Sequence, residues 1–168
     1  MANTLNFRIQ QQSLSEWCWA AVAASVCDFY QDPGYGSQCA FVSSVTGLGD
    51  CCQSCQDDGE ASVCNQPYNL GSALWKCHHG LKVRPDPPDF GQVKVELDAG
   101  RPVACNVYWD NGSAHALVIA GYTDDGLLLI SDPEKPGTLV SINSDFIYST
   151  TYDAGAETGK ITEVFRTR

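Results

Sequence analysis

The sequence predicts an α+β fold, with helices first and an antiparallel sheet after them. Three observations carry this. Segments with helical apolar spacing fill the first part of the chain, whereas apolar, β-branched runs broken by Gly, Asn and Asp turns fill the second. Strands and helices do not alternate, which argues against a parallel βαβ sheet. The 168 residues show no internal repeat and no linker, so one domain, 1–168, is expected, with a helical lobe at about 13–98 and a sheet lobe at about 99–168.

Taken in order, residues 5–9 (Leu-Asn-Phe-Arg-Ile) alternate apolar and polar and read as a short strand. Residues 11–21, Gln-Gln-Ser-Leu-Ser-Glu-Trp-Cys-Trp-Ala-Ala, open a helix expected over about 15–30. Ser13 or Ser15 is its expected cap, Glu16 suits its first turn, and Asp32-Pro33-Gly34 ends it. Cys18, Ala21, Val22, Ser25 and Phe29 share one face of that helix. A second helix is expected at 38–45 and a third at 69–77, where Leu70, Ala73 and Leu74 recur at helical spacing. Residues 46–66, rich in Gly and Asp, read as loop. After an extended 81–83 and a stiff turn at 85–88, a fourth helix at 90–99 is closed by Gly100. Strands follow at 102–109, 114–122 and 126–131, the first pair joined by Asp110-Asn111-Gly112, and 139–142 and 160–165 add edges.

The net charge of −10 speaks against nucleic acid and anionic membrane as partners, since both need a basic patch. No apolar run is long enough to span a bilayer. The first residues carry neither a basic stretch nor an apolar one, so no signal peptide is visible and the expected location is the cytoplasm, or outside the cell by a leaderless route. A monomer is expected. Nine cysteines, an odd number, fit one working thiol plus structural ones. Cys51, Cys52, Cys55, Cys64 and Cys77 crowd one segment. Disulfides, a zinc site using the Cys52-x-x-Cys55 spacing, and independent thiols all remain open there.

Cys18 sits where a helix begins, and the dipole there favours a thiolate, the form that acts as nucleophile. Such a nucleophile needs a base and a group to orient that base. Of the three histidines, His78 and His79 lie at a helix end and read as structural or surface residues, with metal ligation beside Cys77 as the alternative, while His115 opens the apolar strand Ala116-Leu117-Val118-Ile119-Ala120-Gly121-Tyr122. One hairpin later, Leu127–Ser131 is followed by Asp132-Pro133, which puts a carboxylate at a strand end.

Gln12 lies six residues before Cys18, and Trp19-Ala20 follow it. This Gln-x5-Cys-Trp-Ala pattern resembles the papain-like cysteine proteases. The Trp-Cys-Trp-Ala-Ala form is similar to their small bacterial branch, which includes plant-pathogen effector proteases. The His-Ala-Leu-Val-Ile-Ala-Gly-Tyr run resembles that family's histidine strand. Asp-Pro after the next strand resembles the bacterial effector and bacteriocin-leader branches, where papain itself has Asn. The resemblance implies a papain-like fold and a thiol endopeptidase acting on a protein or peptide, without cofactor or metal. Cys18 is then the nucleophile, His115 the base, Asp132 its orienting group, and Gln12 lines the oxyanion hole. A deamidase or a peptide ligase or cyclase on the same fold is the alternative, and a non-enzymatic Cys-rich metal or redox module is a third reading.

Overall fold

The computed structural model describes residues 1–32, 37–81, 89–143, 151–153 and 158–168. Five α-helices among these precede most of the sheet: α1 (Cys18–Phe29), α2 (Gln38–Thr46), α3 (Cys51–Asp58), α4 (Leu70–Lys76) and α5 (Phe90–Asp98). The strands are β1 (Asn3–Thr4), β2 (Val103–Trp109), β3 (Ala114–Tyr122), β4 (Leu127–Ser131), β5 (Leu139–Asn143), β6 (Thr151–Asp153) and β7 (Thr158–Arg166). The order β5-β4-β3-β2-β7-β6 makes one antiparallel sheet, with β1 added to the end of β3. The fold is α+β, as the order of patterns requires.

β3 is the spine of this sheet. Its run from His115 to Tyr122 is buried throughout, because core lies on both sides of it. Ala116, Val118 and Ala120 face the helices, in one cluster with Trp17, Trp19, Val22, Phe41 and Leu74. Leu117 and Ile119 point the other way, into a second cluster with Leu128, Ile130, Tyr152 and Ile161. Small residues on both partners let α1 lie close against β3. At the far end of β3, a Cβ on Gly121 would come within 2.6 Å of the Asn3 carbonyl oxygen, so only glycine lets β1 pair there.

Several boundaries differ from expectation, each for a local reason. The helix at Cys18 starts three residues late, and neither Ser13 nor Ser15 caps it: Trp17 precedes it without a side-chain cap bond. The Trp17 amide instead closes a turn onto the Leu14 carbonyl at 3.1 Å, and burial of Leu14 and Trp17 fixes that turn. Ser15 is used elsewhere, donating to Glu60 at 2.8 Å, and Glu16 lies outside the helix. Nor does α1 show a single buried face, since every residue from Trp19 to Cys27 is buried, as in a central helix. The expected strand at 5–9 is not formed; the strand lies just before it, at Asn3–Thr4, and only the Leu5 amide continues the pairing, reaching the Ala120 carbonyl at 2.9 Å.

The expected loop at 46–66 contains α3. Asp50 caps it by accepting from the Gln53 amide, and two disulfides, Cys39–Cys52 and Cys51–Cys64, tie it to its neighbours. A polar helix of eight residues has little intrinsic stability, so these covalent ties replace the core it lacks. The remaining helices start on caps that the sequence reading did not name: Ser37, Asn69 and Asp89 each accept a backbone amide. Gly100, at φ 77°, stands just past the end of α5. α5 buries Val93 and Leu97 in the cluster of the sheet. The expected elements at 82–83 and 85–88 lie outside the described residues.

Candidate active site

Three side chains from distant parts of the chain meet where α1 begins. Cys18, half-buried, is the first residue of α1. Like every first-turn amide, its N–H has no intrahelical acceptor. The start of the helix is held from both sides of the cysteine. The Trp17 indole N–H donates to the Cys64 carbonyl at 2.8 Å, and the Trp19 indole N–H donates to the Gln66 carbonyl at 3.0 Å. Since Cys64 is bonded to Cys51, the disulfide-rich segment clamps the segment that carries Cys18.

His115 opens β3, where the chain passes between the two clusters, and it is buried. Its Nε2 lies 2.8 Å from Asp132 Oδ1, and its ring lies beside the Cys18 sulfur, which favours the charged imidazole. Asp132, the residue after β4, is 1 % exposed. Its Oδ1 also accepts the Glu134 amide at 2.8 Å, and its Oδ2 accepts the Tyr152 hydroxyl at 2.5 Å. Burial works against the charged form of each partner. At His115 the Asp132 bond and the Cys18 sulfur outweigh it, and the imidazole is raised to about 10. At Asp132 the His115, Tyr152 and Glu134 bonds outweigh it, and the carboxyl is held below its usual range.

Gln12 stands at the edge of this group. Its backbone amide donates to the Pro133 carbonyl at 3.0 Å, docking the lead-in segment beside Asp132. Its side-chain amide donates to the carbonyls of Leu14 at 3.3 Å and Ser15 at 3.0 Å. Its Oε1 is buried without a partner. His115 therefore links Cys18 and Asp132, and the backbone of Gln12 is anchored at Pro133, next to Asp132.

His79 lies apart. It stacks on Tyr30 at 4.8 Å between ring centroids, and its Nε2 is 3.3 Å from Asp32, which ties the end of α4 to the end of α1. His78 takes a left-handed backbone, φ 64°, just after the cap of α4.

Sequence reasoning missed two residues of the site, Tyr152 and Trp109. Neither sits in a motif. Trp109 stacks on His115, with ring centroids 6.1 Å apart, and lies 6.0 Å from Tyr152. Tyr152 belongs to the edge strand β6, and only the curl of the sheet carries it back to Asp132.

Potential ligand atoms of His115, Asp132 and Glu134 lie within 4.8 Å of one another. Both Asp132 oxygens and His115 Nε2 are already engaged, so a cation would have to displace these bonds. A cavity of about 830 Å³ opens between α4 and β7, lined among others by Tyr68, Trp75, Glu163 and Phe165. Glu163 pairs with Asn106 of β2, and Asn106 pairs with Ala116, the neighbour of His115.

Compared with known proteins, residues 1–147 match a family model described as papain-like cysteine protease AvrRpt2. No curated protein matches the chain.

Proposed function

Because this chain belongs to the papain-like cysteine proteases, we propose that it hydrolyses peptide bonds of protein substrates through an acyl-enzyme on Cys18. The observation that carries this reading is the linked contact of Cys18 with His115 and of His115 Nε2 with Asp132 Oδ1 at 2.8 Å. An imidazole raised to about 10 keeps its proton at neutral pH and is the cation a thiolate needs beside it.

The sulfur of Cys18 attacks the scissile carbonyl carbon, and the carbonyl oxygen gains the negative charge. With Nε2 committed to Asp132, Nδ1 of His115 is the nitrogen that faces Cys18. It donates its proton to the departing amine nitrogen, and the C–N bond breaks. In the second half, neutral His115 takes a proton from water. The resulting hydroxide attacks the thioester carbonyl, and the acid leaves while Cys18 regains its thiolate. Asp132 holds the ring in place and stabilises the imidazolium, without itself taking the proton.

The oxyanion meets the backbone N–H of Cys18 and the amide of Gln12. The bond from Gln12 to the Leu14 carbonyl, the longer of its two, is the one the oxyanion displaces.

The test is digestion of a mixed peptide library, with new N-termini read by mass spectrometry. Wild-type protein cleaves it, while Cys18→Ala and His115→Ala lose roughly 10⁴-fold or more. Equal cleavage by Cys18→Ala would overturn the assignment.

A further inference from the structure

We infer that Tyr152 is a positioning residue for the Cys18–His115–Asp132 group, fixing the Asp132 carboxylate so that Oδ1 faces His115. The inference rests on the protease reading of that group and adds a fourth member to it.

A carboxylate has two oxygens, and its usefulness to a histidine depends on which one is presented and in what plane. Here Oδ1 takes two donors, His115 Nε2 and the Glu134 amide, both at 2.8 Å. Without a donor at Oδ2, the carboxylate keeps a buried unpaired oxygen and is free to turn about its last bond. The Tyr152 hydroxyl supplies that donor at 2.5 Å, and Tyr152 is itself fully buried. A bond from a neutral hydroxyl to an ionised acceptor is among the stronger kinds in a dry interior.

Trp109 locks the arrangement from the side. It is nearly parallel to His115, at 20°, and also packs against Tyr152, so one indole touches the base and the residue that braces its partner. The backbone is shaped for that indole. Tyr152 pairs with Gly159 of β7, and a Cβ on Gly159 would fall 2.6 Å from Trp109 Cε3, from the Tyr108 carbonyl oxygen and from Val107 Cγ1. The β6–β7 pair is therefore built to admit Trp109 and deliver Tyr152 together. Tyr152 and Gly159 both lie beyond residue 147, where the match to the protease family ends, so this brace comes from the part of the chain outside the match.

The bond also leaves a mark on the tyrosine. Burial, the Asp132 carboxylate, and the nearby Cys105 and Glu134 all push its phenol above the usual range.

The experiment uses the full chain and needs no known substrate. Brief labelling with dilute iodoacetamide at neutral pH reports Cys18 reactivity, and NMR of the His115 ring reports its titration midpoint. Tyr152→Phe removes one oxygen and keeps the ring. It is expected to slow Cys18 labelling about tenfold and to lower the His115 midpoint by about one unit, the size of one hydrogen bond to a charged group. On an Asp132→Asn background, Tyr152→Phe should add little, because its effect passes through Asp132. If His115→Ala slows labelling while Tyr152→Phe changes neither rate nor midpoint, this inference fails and the protease reading stands. If His115→Ala leaves labelling unchanged, the protease reading fails as well. Should Tyr152→Phe not fold, the unaltered protein decides the matter through the ¹³Cζ signal of Tyr152. A phenol that resists ionisation past the range of exposed tyrosines, and loses that resistance in Asp132→Asn, supports the brace. Ionisation together with the exposed tyrosines overturns it.

Discussion

At the scale of single residues, the three neighbouring glutamines have separate tasks. Gln10 ties α1 and α2 together: its amide donates to Ser25 Oγ at 2.8 Å, its side chain donates to Asp28, and it accepts from Gln38. Gln11 is exposed and offers its backbone carbonyl to Gln38 at 2.7 Å. Gln12 alone carries a half-buried amide next to Pro133 and the start of α1. If that amide meets the oxyanion, Gln12→Ala lowers turnover by roughly 10² to 10³ while leaving Cys18 labelling near normal, the usual loss for one oxyanion donor. Gln11→Ala is then silent, and Gln10→Ala lowers stability rather than turnover. Steady-state rates beside melting temperatures separate these outcomes, and equal small effects on turnover at all three positions would remove Gln12 from the oxyanion hole.

At the scale of elements, the two disulfides do different work. Cys39–Cys52 joins α2 to α3, whereas Cys51–Cys64 runs from α3 to the residue whose carbonyl holds the Trp17 indole. Both close loops of sequence separation 13, so each contributes about 3 kcal/mol in the chain-entropy account. Unfolded without reductant, the protein should expose five thiols, Cys18, Cys27, Cys55, Cys77 and Cys105, and nine after reduction. Replacing either bonded pair by alanine should lower Tm by about 6 to 12 °C. Only loss of the Cys51–Cys64 pair should also slow alkylation of Cys18, because only that bond reaches the segment flanking Cys18. An equal effect of the two pairs on Cys18 would separate the clamp from the site.

At the scale of the whole molecule, the buried His115–Asp132 pair makes stability depend on pH in two windows. His115 is raised to about 10 against an unfolded value of about 6.5, so its contribution is complete below about 6.5 and fades as pH climbs to about 10. Asp132 is lowered, so its contribution holds above an unfolded value of about 3.9 and fades as pH falls below that. Both are complete between roughly pH 4 and 6.5, and urea midpoints for the wild type should be highest there and decline on each side. Asp132→Asn removes the charge partner and should flatten both declines. Unchanged pH dependence in that variant would mean that other groups govern the stability.

The sequence by itself determined the α+β order, four of the five helices and the apolar strands, because caps, turn residues and apolar spacing act over a few neighbours. Ser37, Asn69 and Asp89 cap helices that local reasoning could find. The spacing of Gln12 and Cys18, the run after His115 and the Asp132-Pro133 turn were equally legible as side chains suited to thiol chemistry, and the family match agrees with the resemblance they carry. Only the tertiary structure decided the rest. α3 is polar and short, and its helix rests on disulfides whose partners no local pattern selects. The start of α1 moved to Cys18 because the turn from Leu14 to Trp17 is fixed by burial of both residues and by the bond from the Trp17 indole to a carbonyl 47 residues away. Tyr152 reaches Asp132 across the curl of the sheet, and Gly159 admits Trp109 by lacking a side chain. Hydrogen bonds and packing between residues far apart in the chain depend on the path of the backbone, and that path is set by the whole core at once.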